Sequence, residues 1–216
     1  MKANKKDIFT LTTITTIAAI MLAFVFTSTR DQIELAQEKL RQEALSQVMP
    51  FMHSAYERKI FVFQNMEVPI YAVHENGELQ GAALELTSKE GYSGNIVFLL
   101  GINKEEKITG LKIIKHAETP GLGAKAVLKK WWGQFLDKKK PEFHFKVKKD
   151  GGDVDSITAS TITSRAIANS VDFGLDLFHE YLNNNSVKSQ EEKKNGKQSE
   201  SQNLKAKKRN FIKNIL

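Results

Sequence analysis

The sequence predicts an α+β domain, a mixed or antiparallel sheet with packed helices, preceded by one N-terminal transmembrane helix. Three observations carry this. Residues 8–26 hold no charge, several short β-rich runs between residues 60 and 114 are separated by turn residues, and apolar residues from Ile162 to Leu182 recur at three- and four-residue steps. With 216 residues and 41% apolar content the chain can build one ordinary domain with appendages. It has no cysteine, which excludes disulfides, thiolate metal sites, Cys-ligated iron–sulfur clusters and cysteine nucleophiles.

The uncharged stretch at residues 8–26, at about 1.5 Å per residue, reaches roughly 28 Å, close to the hydrocarbon thickness of a bilayer. Its threonines, Thr10, Thr12, Thr13, Thr15 and Thr16, can each bond back to a carbonyl one turn earlier, so they do not forbid insertion. Lys2, Lys5 and Lys6 precede it, which by the positive-inside tendency places the N-terminus in the cytoplasm and the rest outside. The stretch is longer than a usual signal h-region, and Thr27-Ser28-Thr29 is a poor cleavage site, so it reads as an uncleaved anchor. Residues 31–48, with Ile33, Leu35, Leu40, Ala44, Leu45 and Val48 at helical spacing, predict a helical stalk ending near Pro50. The expected division is thus 1–29 anchor, 30–50 stalk, 51–185 extracytoplasmic domain and 186–216 tail.

Within the domain, residues 60–63, 68–73 and 79–86 read as strands, with a turn at Gly77, and residues 95–115 read as a hairpin turning at 103–106. Residues 124–135 read as a helix carrying Trp131, Trp132 and Phe135 into the core. Residues 143–147 alternate as one more half-buried strand, and residues 154–157 suggest a short strand leading to the final helix.

Two stretches concentrate groups able to do chemistry. Ser156, Thr158, Ser160, Thr161, Thr163 and Ser164 crowd the start of the last helix, where unpartnered N–H groups and a positive dipole end can take a cap or a phosphate. One cap needs only one hydroxyl. In His116-Ala117-Glu118-Thr119-Pro120-Gly121-Leu122-Gly123-Ala124-Lys125, Pro120-Gly121 signals a type II turn, and Gly123 permits close approach to the backbone. His116 has no second His or carboxylate at ligand spacing and reads as a packing or hydrogen-bonding residue, so no metal site is expected.

Asp155-Ser156-Ile157-Thr158-Ala159-Ser160-Thr161 resembles the D-x-x-[ST]-G-A-T flavinylation motif of the FMN-binding domain family, whose members include the G subunit of Rnf complexes and the C subunit of sodium-pumping NADH:quinone reductases. Glu118-Thr119-Pro120-Gly121-Leu122-Gly123 matches that family's E-T-P-G-L-G segment, and Gly91-Tyr92-Ser93-Gly94 resembles its Gly-Tyr-x-Gly segment. Ala159 stands where the family usually has Gly, and Ser160 where it usually has Ala. A positive φ at that first position costs Ala more than Gly.

The resemblance implies FMN joined through a phosphoester to Thr161 by a flavin transferase that uses FAD, with Asp155 part of the motif. It implies cofactor contacts from Thr158, Ser160, Thr163, Glu118, Thr119, Leu122 and Gly123, with Lys125 as a further one. By the same resemblance the chain is a redox subunit, without stand-alone catalysis, of an Rnf-type membrane complex coupling ferredoxin and NAD chemistry to ion translocation. Other membrane subunits and the transferase are its implied partners. Two other readings stay open: a flavinylated carrier of another extracytoplasmic or quinone-linked chain, and a membrane-anchored interaction module without flavin.

The net charge of +7 does not point to nucleic acid. Residues 186–216 hold nine Lys or Arg against three acids, and residues 1–27 three against one, so the body is slightly acidic, with no aromatic–basic interleaving. The tail's composition predicts disorder, with anionic lipid or an acidic partner as alternatives to plain solvation.

Overall fold

A computed structural model describes residues 5–53 and 55–185. The expectation for the tail at 186–216 lies outside the described residues. Two compact units divide the chain, one ending at Ser46 and the other beginning at Gln47.

The first unit is helical. Helix α1, Lys5–Val48, runs without a break through both the apolar stretch and the expected stalk and ends two residues before Pro50. Its best 18-residue window has a mean hydropathy of 2.2 with none of it buried, and Phe9 and Phe24 are 75% and 72% exposed, so the helix is long and apolar enough to cross a membrane. The threonine hydroxyls are satisfied within it: Thr12 donates to the Ile8 carbonyl at 2.8 Å, Thr13 to Phe9 at 2.9 Å and Thr16 to Thr12 at 2.8 Å. That internal pairing removes the main polar cost of placing hydroxyls in hydrocarbon.

The second unit is a five-stranded antiparallel meander in the order β1-β2-β3-β4-β5: β1 Tyr56–Phe63, β2 Met66–Glu75, β3 Glu78–Ser88, β4 Ile96–Asn103 and β5 Ile108–Lys115. Its turns follow from local chemistry. Gln64 and Asn65 both take positive φ between β1 and β2, as do Asn76 and Gly77 between β2 and β3, the backbone of two-residue hairpins. Between β4 and β5 the Asn103 side-chain oxygen accepts from the N–H groups of Glu105 and Lys107 at 3.1 and 2.9 Å.

Helix α3, residues 161–185, covers one face of this sheet. Val68, Ile70, Ala72, Leu84, Phe98 and Leu100 from the strands form one buried cluster with Ile167, Val171, Leu175 and Phe178 of the helix. The approach is close at Gly174, where an added Cβ would lie 2.7 Å from Leu86 and 3.0 Å from Leu100. On the other face Gly101 and Gly110 stand opposite one another in the β4–β5 ladder. Val48 lies on this glycine floor, since a Cβ on Gly110 would sit 2.7 Å from its Cα, and its carbonyl accepts from the Thr109 hydroxyl at 2.6 Å.

The segment between β5 and α3 departs from expectation. The helix expected at 124–135 is broken into a 3-10 turn at Gly123–Val127, the single-turn helix α2 at Lys129–Trp132, and a further 3-10 turn at Gly133–Phe135, because Leu128 is extended at ψ 129° and interrupts the ladder. Trp131 and Trp132 still pack against the core. The strand expected at 143–147 does not form either. Phe143 and Phe145 contact each other edge-on at 4.9 Å, Phe145 stacks on Phe135 at 6.3 Å, and a tight Lys146 N–H bond to the His144 carbonyl bends the backbone. Only a parallel bridge between Val147 and Val154 remains of it and of the strand suggested at 154–157. Alternation there reflects aromatic packing, with no ladder.

Lys140 ties this segment to α3 through Asp172 at 2.7 Å and Asp176 at 2.9 Å. Burial pulls its pKa down, but the hydrogen bonds to Asp172 and Asp176 outweigh that and hold it above the ordinary 10.5. The stabilisation is therefore fully present below the ordinary value and is lost as pH rises through the higher folded value. Lys140→Met should cost about 1 kcal/mol, discounted for partial exposure, in urea unfolding at pH 7 to 9. Repeating the unfolding above pH 10.5 should show the difference shrinking.

Candidate functional site

The three stretches singled out from the sequence converge on Glu118, which is 5% exposed. Its Oε2 accepts from the Thr163 hydroxyl at 2.6 Å and its Oε1 from the Ser93 N–H at 3.0 Å. The backbone of Glu118 is fixed in turn by its N–H donating to His116 Nδ1 at 3.2 Å, the hydrogen-bonding role expected for that histidine. Two glycines make room for the carboxylate. A Cβ on Gly123 would overlap Oε2 and lie 2.7 Å from Thr163 Oγ1, and one on Gly91 would lie 2.9 Å from Oε1. The carboxylate thus bolts the 91–94 loop and the 118–123 loop to the first turn of α3, and both donors it would lack in an apolar setting are supplied.

The entry to α3 is built from the hydroxyl run. Ser164, fully buried, donates to the Ser160 carbonyl and accepts from the Ile157 N–H, both at 2.9 Å, and the Ser160 N–H donates to the Ile157 carbonyl at 2.9 Å. These bonds close a tight turn over 157–160 in which Ala159 has φ 59°, the left-handed region. Glycine takes this conformation without penalty, whereas an L side chain pays about 1–2 kcal/mol. Ala159→Gly should raise stability by about 0.5–1 kcal/mol once the greater unfolded-state freedom of Gly is offset, seen as a higher urea midpoint at unchanged slope.

Between the loops and the helix lies a cleft of about 490 Å³, a size that suits a cofactor. Among its walls are Glu118, Thr119, Leu122, Gly123, Ser160, Thr161 and Thr163, seven of the ten residues expected at the site. Thr158 lies exposed on the turn beside it, Lys125 is exposed on the 3-10 turn, and neither lines the cleft. Asp155 also stands outside, its carboxylate paired with Lys148 at 2.7 Å. Its backbone is clamped: the N–H donates to Gln134 Oε1 and the carbonyl accepts from Trp131 Nε1, each at 2.7 Å. Tyr92, Ala159 and Ile162 complete the walls without having been picked out as contacts. For Tyr92 the signal was present in the Gly-Tyr segment. Ile162 sits in the helical apolar pattern but faces out, 47% exposed.

The cleft fits a flavin nucleotide in three respects. Tyr92, Leu122 and Ile162 offer exposed apolar surface for a ring, the first turn of α3 forms part of the wall, where helix N-terminal N–H groups can take a phosphate, and Thr161 in that turn carries a hydroxyl. Just beyond, Arg165 makes a two-pronged bond to Asp150 at 2.6 and 2.9 Å, and its guanidinium holds that carboxyl below the ordinary 3.8. This cation is spent on a turn and does not enter the cleft.

Residues 91–176, which contain all of these cleft-lining residues, match the family model of the FMN-binding domain. The chain is 33% identical over 181 residues to the G subunit of the ion-translocating oxidoreductase complex of Aliivibrio fischeri (strain MJ11), covering 77% of this chain and 86% of that protein. With the corresponding G subunit of Vibrio parahaemolyticus it shares 34% over 184 residues, covering 79% and 87%. The crystal structure of Shewanella oneidensis NqrC aligns over 50% of this chain and 55% of its own, with a TM-score of 0.42 and 20% identity. Residues 91–176 thus form an FMN-binding domain. The chain belongs to the family of G subunits of ion-translocating oxidoreductase complexes.

Proposed function

We propose that the protein is the flavin-bearing electron-transfer subunit of a membrane complex that couples redox chemistry to ion translocation, with FMN esterified to Thr161. The observation that carries this is the state of the hydroxyls at the start of α3. Those of Thr163 and Ser164 are committed to Glu118 and to the 157–160 turn, whereas that of Thr161, in the same cleft wall, makes no hydrogen bond among the described residues. Ser156, Thr158 and Ser160 are the motif's other hydroxyls.

When bound, FMN supplies reversible one- and two-electron chemistry, so the protein needs no acid, base or nucleophile of its own. The chain's part is to hold and orient. Tyr92, Leu122 and Ile162 give an apolar wall, Glu118 keeps the two loops on the helix, and the α3 N-terminus counters phosphate charge. Attachment would be a phosphoryl transfer from FAD on a separate transferase. Thr161 would supply the acceptor Oγ1, the new Oγ1–P bond replacing the bridging P–O bond of the diphosphate, with AMP as the leaving group and the hydroxyl proton lost in the exchange.

The names of its relatives, each a subunit of a complex, support assembly with other membrane subunits. Lys2, Lys5 and Lys6, ahead of the uncharged stretch at residues 8–26, support a cytoplasmic N-terminus and an extracytoplasmic domain in a single-pass inner-membrane protein. Co-expression of the full chain with a flavin transferase tests the reading. A yellow protein, fluorescent in a denaturing gel and reversibly bleached by dithionite, is expected. A colourless product beside an active transferase would instead establish an anchored interaction module.

A further inference from the structure

Away from the flavin cleft, the sheet is split. The β2–β3 ladder stops at Ile70 opposite Leu84, although β2 continues back to Met66 and β3 on to Ser88. Pro69 would occupy the next pairing position, opposite Glu85, and it has no N–H to give. Residues 66–69 stay with β1 and residues 85–88 with β4, so the two strands part and leave a notch bounded on one side by α3.

This notch encloses about 640 Å³. Val68, Leu86 and Phe173 form its apolar floor, and Glu67, Glu85 and Glu90 stand on its walls against a single cation, Lys89. Glu85 also accepts from the Tyr71 hydroxyl at 2.8 Å, and Asn169 reaches Glu90 at 3.4 Å. Two diverging strand edges over an apolar floor suit an extended peptide, since main-chain groups can pair with the edges while alternate side chains reach the floor. The glutamates select a basic one.

We propose that the notch is a peptide-binding site and that its occupant is the chain's own residues 205–212. That segment reads Lys205-Ala206-Lys207-Lys208-Arg209-Asn210-Phe211-Ile212, a basic run followed by two large apolar residues. Its composition matches the notch, with cations for Glu67, Glu85 and Glu90 and an apolar pair for the floor. The reach is sufficient. Phe173 lies twelve residues before the described end of α3 at residue 185, about 18 Å along a helix, whereas twenty further residues can span up to about 65 Å.

Zero-length carbodiimide cross-linking of the full chain in detergent, read by peptide mass spectrometry, tests this. Links from Lys205, Lys207 and Lys208 to Glu67, Glu85 and Glu90 should exceed those to the exposed Glu78 and Glu142 by about tenfold, the factor expected from two or three weak ion pairs acting together. The double substitution Glu67→Gln with Glu90→Gln, at two exposed positions, should reduce the remaining link to Glu85 by a similar factor. Links spread evenly over exposed carboxylates would overturn the proposal. Links joining isotopically light and heavy chains in a mixed sample would overturn it in favour of a second copy. Loss of the links on adding phosphatidylglycerol vesicles at constant ionic strength would overturn it in favour of lipid.

Discussion

Replacing Thr161 by Ala is expected to abolish covalent flavin while leaving the fold intact. The wild-type chain, matured by a transferase, should gain the mass of one FMN less one water, and Thr161→Ala should gain nothing. The reasons are local. Thr161 is the first residue of α3, half-buried at the cleft, and its hydroxyl makes no hydrogen bond among the described residues, so its loss removes no structural contact. Stability should change by less than about 0.5 kcal/mol, the range for substitutions that break no packed or bonded group. Thr161→Ser keeps the hydroxyl and should keep the mass gain. Thr163→Ala should retain the gain as well, at a cost in stability, because its hydroxyl serves Glu118. If the gain disappears in Thr163→Ala and survives in Thr161→Ala, the acceptor has been placed two residues too early.

The contrast between those two threonines marks what the sequence could and could not show. The hydroxyl run, the Glu118–Gly123 loop and the Gly91–Gly94 segment were all legible as motifs. Their meeting at one carboxylate was not, because a contact across 45 residues, such as that from Thr163 to Glu118, leaves no trace in local pattern. Strands with two-residue turns were legible because periodicity and turn chemistry agree there, as at Asn76-Gly77. Residues 124–147 were misread in both directions. Their apolar spacing matches a helix and then a strand, yet Trp131, Phe135, Phe143 and Phe145 pack against one another, and that ring contact overrides the backbone preference of the segment. Ala159 shows the reverse case. The departure from glycine was visible in sequence, and the structure shows why glycine suits the position, since Ala159 takes φ 59°, which glycine adopts without penalty.

The second large effect is expected at Glu118, and it separates holding the site from carrying the flavin. Glu118→Ala leaves the Thr163 hydroxyl, 1% exposed, and the Ser93 N–H without their acceptor and empties the space that Gly91 and Gly123 leave for the carboxylate. Each abandoned donor costs about 1–3 kcal/mol, so a loss of about 2–5 kcal/mol in urea unfolding is expected. Glu118→Gln keeps the shape, with the amide oxygen facing Ser93 N–H and the amide nitrogen donating to Thr163 Oγ1, and should cost nearer 1 kcal/mol. Combining Glu118→Ala with Thr163→Val removes donor and acceptor together. The pair should cost less than the sum of the single losses by about 1–2 kcal/mol, the coupling expected of groups in direct contact. Additive losses would mean that the two side chains do not meet in solution. Because Glu118 is not the acceptor, its Ala variant should still gain the FMN mass wherever it folds well enough for maturation. Its flavin, no longer held between tethered loops, should be more fluorescent and more accessible to iodide quenching than in the wild type. A Glu118→Ala protein with wild-type quenching would show that the loops stay on α3 without the carboxylate, and that buried charge would lose its central role in the site.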